Sequence, residues 1–151
     1  MTARWSRAGA NVEVPNGTGV ELSNGTKLFT KAQSRLDYRQ LGSLVFAYVQ
    51  YNWSNRNGAS GGGSMRLVIT DPGLTSIINS ESVGIASIVD CGNITCSTNY
   101  RWMSCTVKGT EIFILQGGTD PSNPRPLLPM TASNFADIGG GIIGFDILYM
   151  I

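Results

Sequence analysis

The chain has 151 residues, which is enough for one domain with a single hydrophobic core. Only 14% of the residues are charged, and eleven basic against ten acidic residues leave a net charge of +1. The charges are scattered without a basic stripe, and no apolar stretch reaches the length of a membrane span, so we expect neither nucleic acid nor a membrane as a partner. No apolar segment of a secretory signal follows the N-terminus, so we expect synthesis in a cytoplasm.

Alternation of apolar and polar residues with period two predicts strands along most of the chain, whereas helical periodicity is nearly absent. The clearest strand covers residues 44–53, and its first half is apolar on both faces, as in a strand deep inside a sandwich. Weaker or shorter candidates lie at residues 12–14, 19–22, 27–30, 65–69, 85–89, 100–107, 111–116 and 142–151.

Turn residues separate these runs. Asn16-Gly17, Asn24-Gly25 and Asn57-Gly58 favour tight turns because Asn and Gly tolerate positive φ. Lys108-Gly109-Thr110 predicts a hairpin, and the proline-rich residues 117–129 predict an irregular surface loop. The pattern predicts an all-β protein, an antiparallel jelly-roll β-sandwich of about eight strands.

We expect a single domain. Residues 36–151 form the jelly-roll sandwich, and residues 1–35 form an N-terminal segment of strand or arm that packs on the sandwich or reaches from it. The chain shows no internal repeat.

Catalytic chemistry has little support in the sequence. The chain has no histidine, which removes the usual Ser-His-Asp arrangement and the commonest metal ligand. Its carboxylates are well separated along the chain. Residues 139–144 match G-x-G-x-x-G, but a β pattern follows where the dinucleotide motif requires a helix. Small residues there would instead let another backbone come close. We therefore predict no enzyme, no cofactor and no metal site.

The final strand is apolar on both faces, which is unusual for a chain end. One face carries Phe145, Ile147, Tyr149 and Ile151, and a symmetric oligomer would bury a second face of such a strand. The alternative is a strand central to a monomeric sandwich. Asp146 interrupts the other face. Either an arginine pairs with it, such as Arg35, Arg39 or an Arg of a neighbouring subunit, or that face is wet.

An aromatic and polar cluster lies at the end of the predicted strand 44–53. Trp53, Arg56 and Asn57 precede a glycine-rich loop, and these residue types are favoured at interfaces and sugar-stacking sites. We predict a possible ligand loop there, and Tyr100-Arg101-Trp102 forms a second such cluster. The alternative is core aromatic side chains with arginines that reach to the surface.

Two segments carry a resemblance to a known class of proteins. Residues 38–46 read Tyr-Arg-Gln-Leu-Gly-Ser-Leu-Val-Phe, and residues 144–149 read Gly-Phe-Asp-Ile-Leu-Tyr. Residues 36–151 thereby resemble phage virion β-sandwich modules, as in head decoration or cement proteins and tail-fibre tips. The resemblance implies a homotrimeric, TNF-like jelly roll on a virion surface, made in the host cytoplasm, with Phe145, Ile147, Tyr149 and Ile151 at the trimer interface.

Two departures from tail fibres affect the functional interpretation. We expect no long N-terminal shaft before the sandwich, and the sequence shows no β-helical repeat of a depolymerase spike. The preferred hypothesis is therefore a non-enzymatic capsid decoration protein that stabilises the head by binding the major capsid protein, with Arg4, Trp5 and Arg7 in contact with the capsid. The alternatives are a receptor-binding tip of a tail fibre or other tail appendage, a small coat protein, and an enzyme with a converging carboxylate pair.

Overall fold

The structure, a computed structural model, describes residues 12–14, 20–60, 62–70, 83–118 and 127–150. Ten strands lie in these residues and form two antiparallel sheets. Sheet A has the order β1-β3-β4-β10-β6, with bounds β1 Val12–Val14, β3 Thr30–Leu41, β4 Leu44–Asn55, β6 Val83–Gly92 and β10 Gly141–Met150. Sheet B has the order β2-β5-β8-β7, and a short β9 pairs with β8. Its bounds are β2 Val20–Ser23, β5 Arg66–Ile69, β7 Trp102–Lys108, β8 Glu111–Gly117 and β9 Leu128–Pro129.

The hydrophobic core lies between the two sheets, as the predicted all-β sandwich requires. In β4 every second side chain is buried, and β10 repeats this alternation beside it. Sheet B closes the core from the other side with the buried side chains of Leu22, Leu67, Ile69, Ile112 and Ile114. The prediction of an all-β antiparallel sandwich is confirmed, and most of the predicted strands correspond to strands of the structure.

The sequence pattern does not predict β3 or the short β9, which lies at the end of the loop predicted for residues 117–129. Leu36 and Tyr38 are the only large buried side chains of β3, and the buried position before them is polar Ser34. The alternation is therefore weak in the sequence, although β3 pairs with β4 along nearly its whole length. The predicted boundary between residues 35 and 36 lies inside β3, and residues 20–23 belong to sheet B.

Two hairpins use the same turn chemistry. β7 and β8 are joined at Gly109-Thr110, where the hairpin is predicted, and Gly109 has a φ of 57°. β3 and β4 are joined at Gly42-Ser43, and Gly42 has a φ of 56°. Glycine is favoured at the first position of a two-residue turn because it adopts positive φ without steric cost.

β10 depends on the glycines that precede and begin it. Gly140 has a φ of 62°, and a Cβ added there would overlap with the carbonyl oxygen of Trp53. A Cβ at Gly141 would overlap with the Trp53 ring and with the carbonyl oxygen of Gly92. These glycines let the chain enter between β4 and β6, which confirms the close backbone approach expected for the G-x-G-x-x-G segment.

We expect Gly140→Ala to lower the free energy of unfolding by about 3 kcal/mol, because the new methyl group displaces the β4 backbone and the residue is strained at positive φ. Gly139→Ala is the matched control. Gly139 also has positive φ, 83°, but a Cβ there meets no atom within 4 Å. Its cost should be about 1 kcal/mol. Urea denaturation followed by circular dichroism measures both, and equal losses would contradict the steric role of Gly140.

Candidate functional site

A groove crosses the outer face of sheet A, over β3, β4, β10 and β6. Its volume is about 600 Å³, which is in the range of small-molecule sites, but it is an open groove rather than a closed cavity. The outward side chains that line it are Arg35, Asp37, Arg39, Phe46, Tyr48, Ile85, Ser87, Asp146 and Leu148.

The strand register arranges eight of these side chains in two rows across the sheet, and Arg35 lies two residues before Asp37 on β3. In one row Asp37, Tyr48, Asp146 and Ser87 lie side by side on successive strands. In the next row the neighbours are Arg39, Phe46, Leu148 and Ile85. The first row is polar around one tyrosine, and the second is apolar with an arginine at one end.

An ion pair and an aromatic contact order the polar row. The Arg35 Nε donates to the Asp37 Oδ2 at 2.8 Å. The same guanidinium lies 5.6 Å from the centre of the Tyr48 ring, which is within the range of a cation–π contact. The Tyr48 hydroxyl donates to the Gln50 Oε1 at 3.2 Å. Arg35 is thus engaged by its own strand and by β4.

The Tyr48 hydroxyl is surrounded by carboxylates. Burial raises the pKa of Tyr48 above its usual value, and the negative charge of Asp90 and then of Asp146 raises it further, while Arg35 opposes them. Both causes disfavour the phenolate, so the hydroxyl keeps its proton at neutral pH and acts as a hydrogen-bond donor.

Two charged groups of the groove have no partner among the described residues. Asp146 and Arg39 are both exposed, and neither forms an ion pair or a hydrogen bond through its side chain there. Of the arginines expected to pair with Asp146, Arg35 is held by Asp37, and Arg39 lies two strands away beyond Phe46 and Tyr48. Within the described part of one chain, Asp146 therefore pairs with no arginine, and the surface around it is exposed to solvent.

Large apolar side chains are exposed beside these charges. Phe46 and Leu41 are each 37% exposed, Met150 is 63% exposed, and Ile85 is 69% exposed. All four project from the outer face of sheet A, where Leu41, Leu44 and Met150 form the row that follows Phe46 and Leu148. We call Leu41, Phe46, Ile85, Leu148 and Met150 the apolar face of sheet A.

The side chains predicted at a trimer interface occupy the opposite face of β10. Phe145, Ile147 and Tyr149 are 0%, 3% and 0% exposed and belong to the core that sheet B covers. Ile151 lies outside the described residues. Burial of these side chains therefore needs no second copy, and the side chains of β10 that remain accessible are Ile142, Asp146, Leu148 and Met150.

The predicted ligand loop contains one buried and two accessible residues. Trp53 is 2% exposed; its Nε1 donates to the carbonyl oxygen of Ala136 at 2.9 Å, and its ring packs edge-on against Phe135. Arg56 lies 3.5 Å from the Asp137 carboxylate, and Asn57 is exposed at a turn with a φ of 49°. The Trp53 ring is therefore not available for stacking a ligand from solvent.

The other predicted sites have different outcomes. Arg4, Trp5 and Arg7, the expected capsid contacts, lie outside the described residues. In the second aromatic cluster Trp102 is 42% exposed, and its ring lies over Gly117, where any Cβ would overlap with it. Among the described residues, no group of three or more His, Cys, Asp or Glu is placed to hold a metal ion.

The cysteines are three free thiols. Cys105 packs against the core, its Sγ donates to the carbonyl oxygen of Ala86 at 3.2 Å, and burial raises its pKa to about 11. Burial, followed by the nearby Cys91, raises the pKa of Cys96 as well. Thiols with raised pKa values are weak nucleophiles at neutral pH, so Cys96 and Cys105 are poor candidates for covalent catalysis.

The described part of the chain contains no helix with the length and apolar character needed to traverse a bilayer.

Comparison with known proteins gives a match of the fold. Neither the models of known protein families nor the curated proteins match the sequence. Among solved structures, the chain is similar to part of the crystal structure of the Dettilon tailspike protein, with a TM-score of 0.63 and 16% sequence identity. The similarity covers 90% of this chain but only 23% of that tailspike. At this identity it shows a shared fold.

We expect Trp53→Phe to act as a core substitution and to lower the free energy of unfolding by about 2 kcal/mol, because the cavity and the lost bond to Ala136 both destabilise the fold. Asn57→Gly is the control, since Gly keeps the positive φ of this exposed turn, and it should change stability by less than about 0.5 kcal/mol. Urea denaturation measures both. Unchanged stability of Trp53→Phe would show that the ring is not a core element.

Proposed function

We propose that this chain is a non-enzymatic β-sandwich module of a bacteriophage virion, displayed on the particle surface as a homotrimer. The observation that carries this proposal is the similarity of 90% of the chain to a segment of a phage tailspike. The sequence supports the proposal as well, because residues 38–46 and 144–149 resemble segments of phage virion β-sandwich modules. The jelly-roll connectivity expected of those modules is part of the proposal.

The tailspike similarity favours a tail appendage over the head as the location. In that arrangement the module is the receptor-binding tip or another part of the appendage. A capsid decoration protein is the second candidate, favoured by the Arg4-Trp5-Arg7 segment, which would bind the major capsid protein. Both candidates require the chain in the mature particle, and they differ in where it lies.

The homotrimer is supported by the apolar face of sheet A. Four of its side chains are at least 37% exposed and lie on four neighbouring strands of one sheet. Scattered exposed apolar residues are normal on a monomer, whereas a contiguous set on one sheet marks a surface that is covered in the assembled protein.

A structural function is supported by the carboxylates of the groove. Asp37 and Asp146 line the same groove, but Tyr48 stands between them in the row, so their Cα atoms lie two strand spacings apart, about 10 Å. Asp37 is held in an ion pair by Arg35. Asp146 is exposed to water, whereas a carboxyl group that acts as a general acid is usually placed in apolar surroundings. Neither Asp37 nor Asp146 thus has the apolar surroundings that the general acid of a glycosidase usually has.

Localisation on purified phage particles tests the proposed function. Gold-labelled antibodies raised against this chain should bind intact particles at the tail end when viewed by electron microscopy. Label spread over the heads would support the decoration protein instead. Particles from which the chain is absent, checked by mass spectrometry of the same preparation, would contradict both candidates.

The assembly is tested by the mass in solution. Light scattering of the purified chain should give three times the chain mass of 16.1 kDa at micromolar concentration. A monomer at every concentration tested would contradict the homotrimer.

A further inference from the structure

Charges without partners stand within the apolar face of sheet A. Arg39 lies beside Phe46 on the neighbouring strand, and Asp146 lies two positions before Leu148 along β10. Within the chain, two strand spacings of about 4.8 Å and one step of two residues along the strands separate their Cα atoms by about 12 Å. The rings of Phe46 and Tyr48 occupy the space between them. The two charges therefore do not pair with each other inside one copy.

Burial of this face by another protein would be costly if these charges stayed unpaired. An uncompensated buried charge costs several kcal/mol, whereas a matched pair with good geometry offsets much of its desolvation. Any partner that covers the apolar face must therefore bring a carboxylate to Arg39 and a cation to Asp146.

A second copy of the same face meets this requirement. The groove holds two arginines and two aspartates, of which Arg35 and Asp37 already pair within the chain. Of the charged residues that line the groove, Arg39 and Asp146 remain, so a second copy offers each of them a group of opposite charge. Asp90 is a further exposed carboxylate near the Tyr48 hydroxyl and is not part of this pair. In a closed ring each copy gives Arg39 to one neighbour and Asp146 to the other, so both groups are paired.

We propose that the copies of this chain pack through the outer face of sheet A, with Arg39 of one copy paired to Asp146 of the next. This inference rests on the proposed homotrimer and identifies its interface. The apolar side chains of the face, chiefly Phe46, Ile85 and Met150, supply most of the buried area. The ion pair selects the register and the partner, because like charges across an interface disfavour a wrong arrangement.

A charge exchange tests the pair. Arg39→Asp and Asp146→Arg each place like charges opposite one another in the assembly. Each should weaken trimer association at least about 30-fold, as seen by light scattering over a dilution series. The double variant R39D/D146R restores opposite charges in the reverse order and should recover the trimer.

The control is Arg101→Asp, which makes the same change of charge. Arg101 is exposed beside the start of β7 in sheet B and has no side-chain ion pair among the described residues. This variant should remain a trimer. Circular dichroism and thermal unfolding of each variant show whether it is folded, and both substituted side chains are exposed, so we expect native spectra.

The outcomes separate this inference from the proposed function. A wild-type chain that is monomeric contradicts the trimer itself. A wild-type trimer whose single variants remain trimers overturns the sheet A interface and leaves the virion function standing. Single variants that dissociate without rescue in the double variant overturn the pairing of Arg39 with Asp146.

Discussion

The pairing of β10 with β4 and β6 is the constraint on which the rest of the structure depends. β10 lies near the end of the chain and yet occupies a position between two partners in sheet A. Its ladder with β4 extends over the whole of β10. Gly140 and Gly141 make this position accessible, because any side chain there would displace the β4 backbone or the Trp53 ring. The core is complete only when this last strand is in place.

The two faces of β10 then acquire different roles. Phe145, Ile147 and Tyr149 point toward sheet B and close the core. The opposite side presents Asp146, Leu148 and Met150 beside the outward side chains of β4 and β3. One face of β10 therefore stabilises the single chain, and in the proposed trimer the other face packs against a second copy.

The polar row around Tyr48 limits what that outer face can do. Arg35 forms an ion pair with Asp37 and lies over the Tyr48 ring, so its charge is already neutralised within the chain. Arg39 and Asp146 have no side-chain ion pair or hydrogen bond in the described part of the chain, and they stand on either side of two aromatic rings. The proposed trimer would give each of these two groups a partner of opposite charge.

The sequence by itself determined the all-β class and the alternation of β4 and β10, because apolar residues recur there with period two. It also determined the hairpin at Gly109 and the close backbone approach at Gly140, because both positions require glycine. The sequence does not predict β3, because the polar residue Ser34 occupies a buried position and weakens the alternation of apolar and polar side chains. Only the tertiary structure decided which face of β10 points into the core, since both faces are largely apolar and the alternation pattern does not distinguish them. It also decided that Trp53 is buried against Phe135 and that Asp146 shares a groove with Arg39. Those relations join residues distant along the chain, which sheet register brings together and local sequence does not encode.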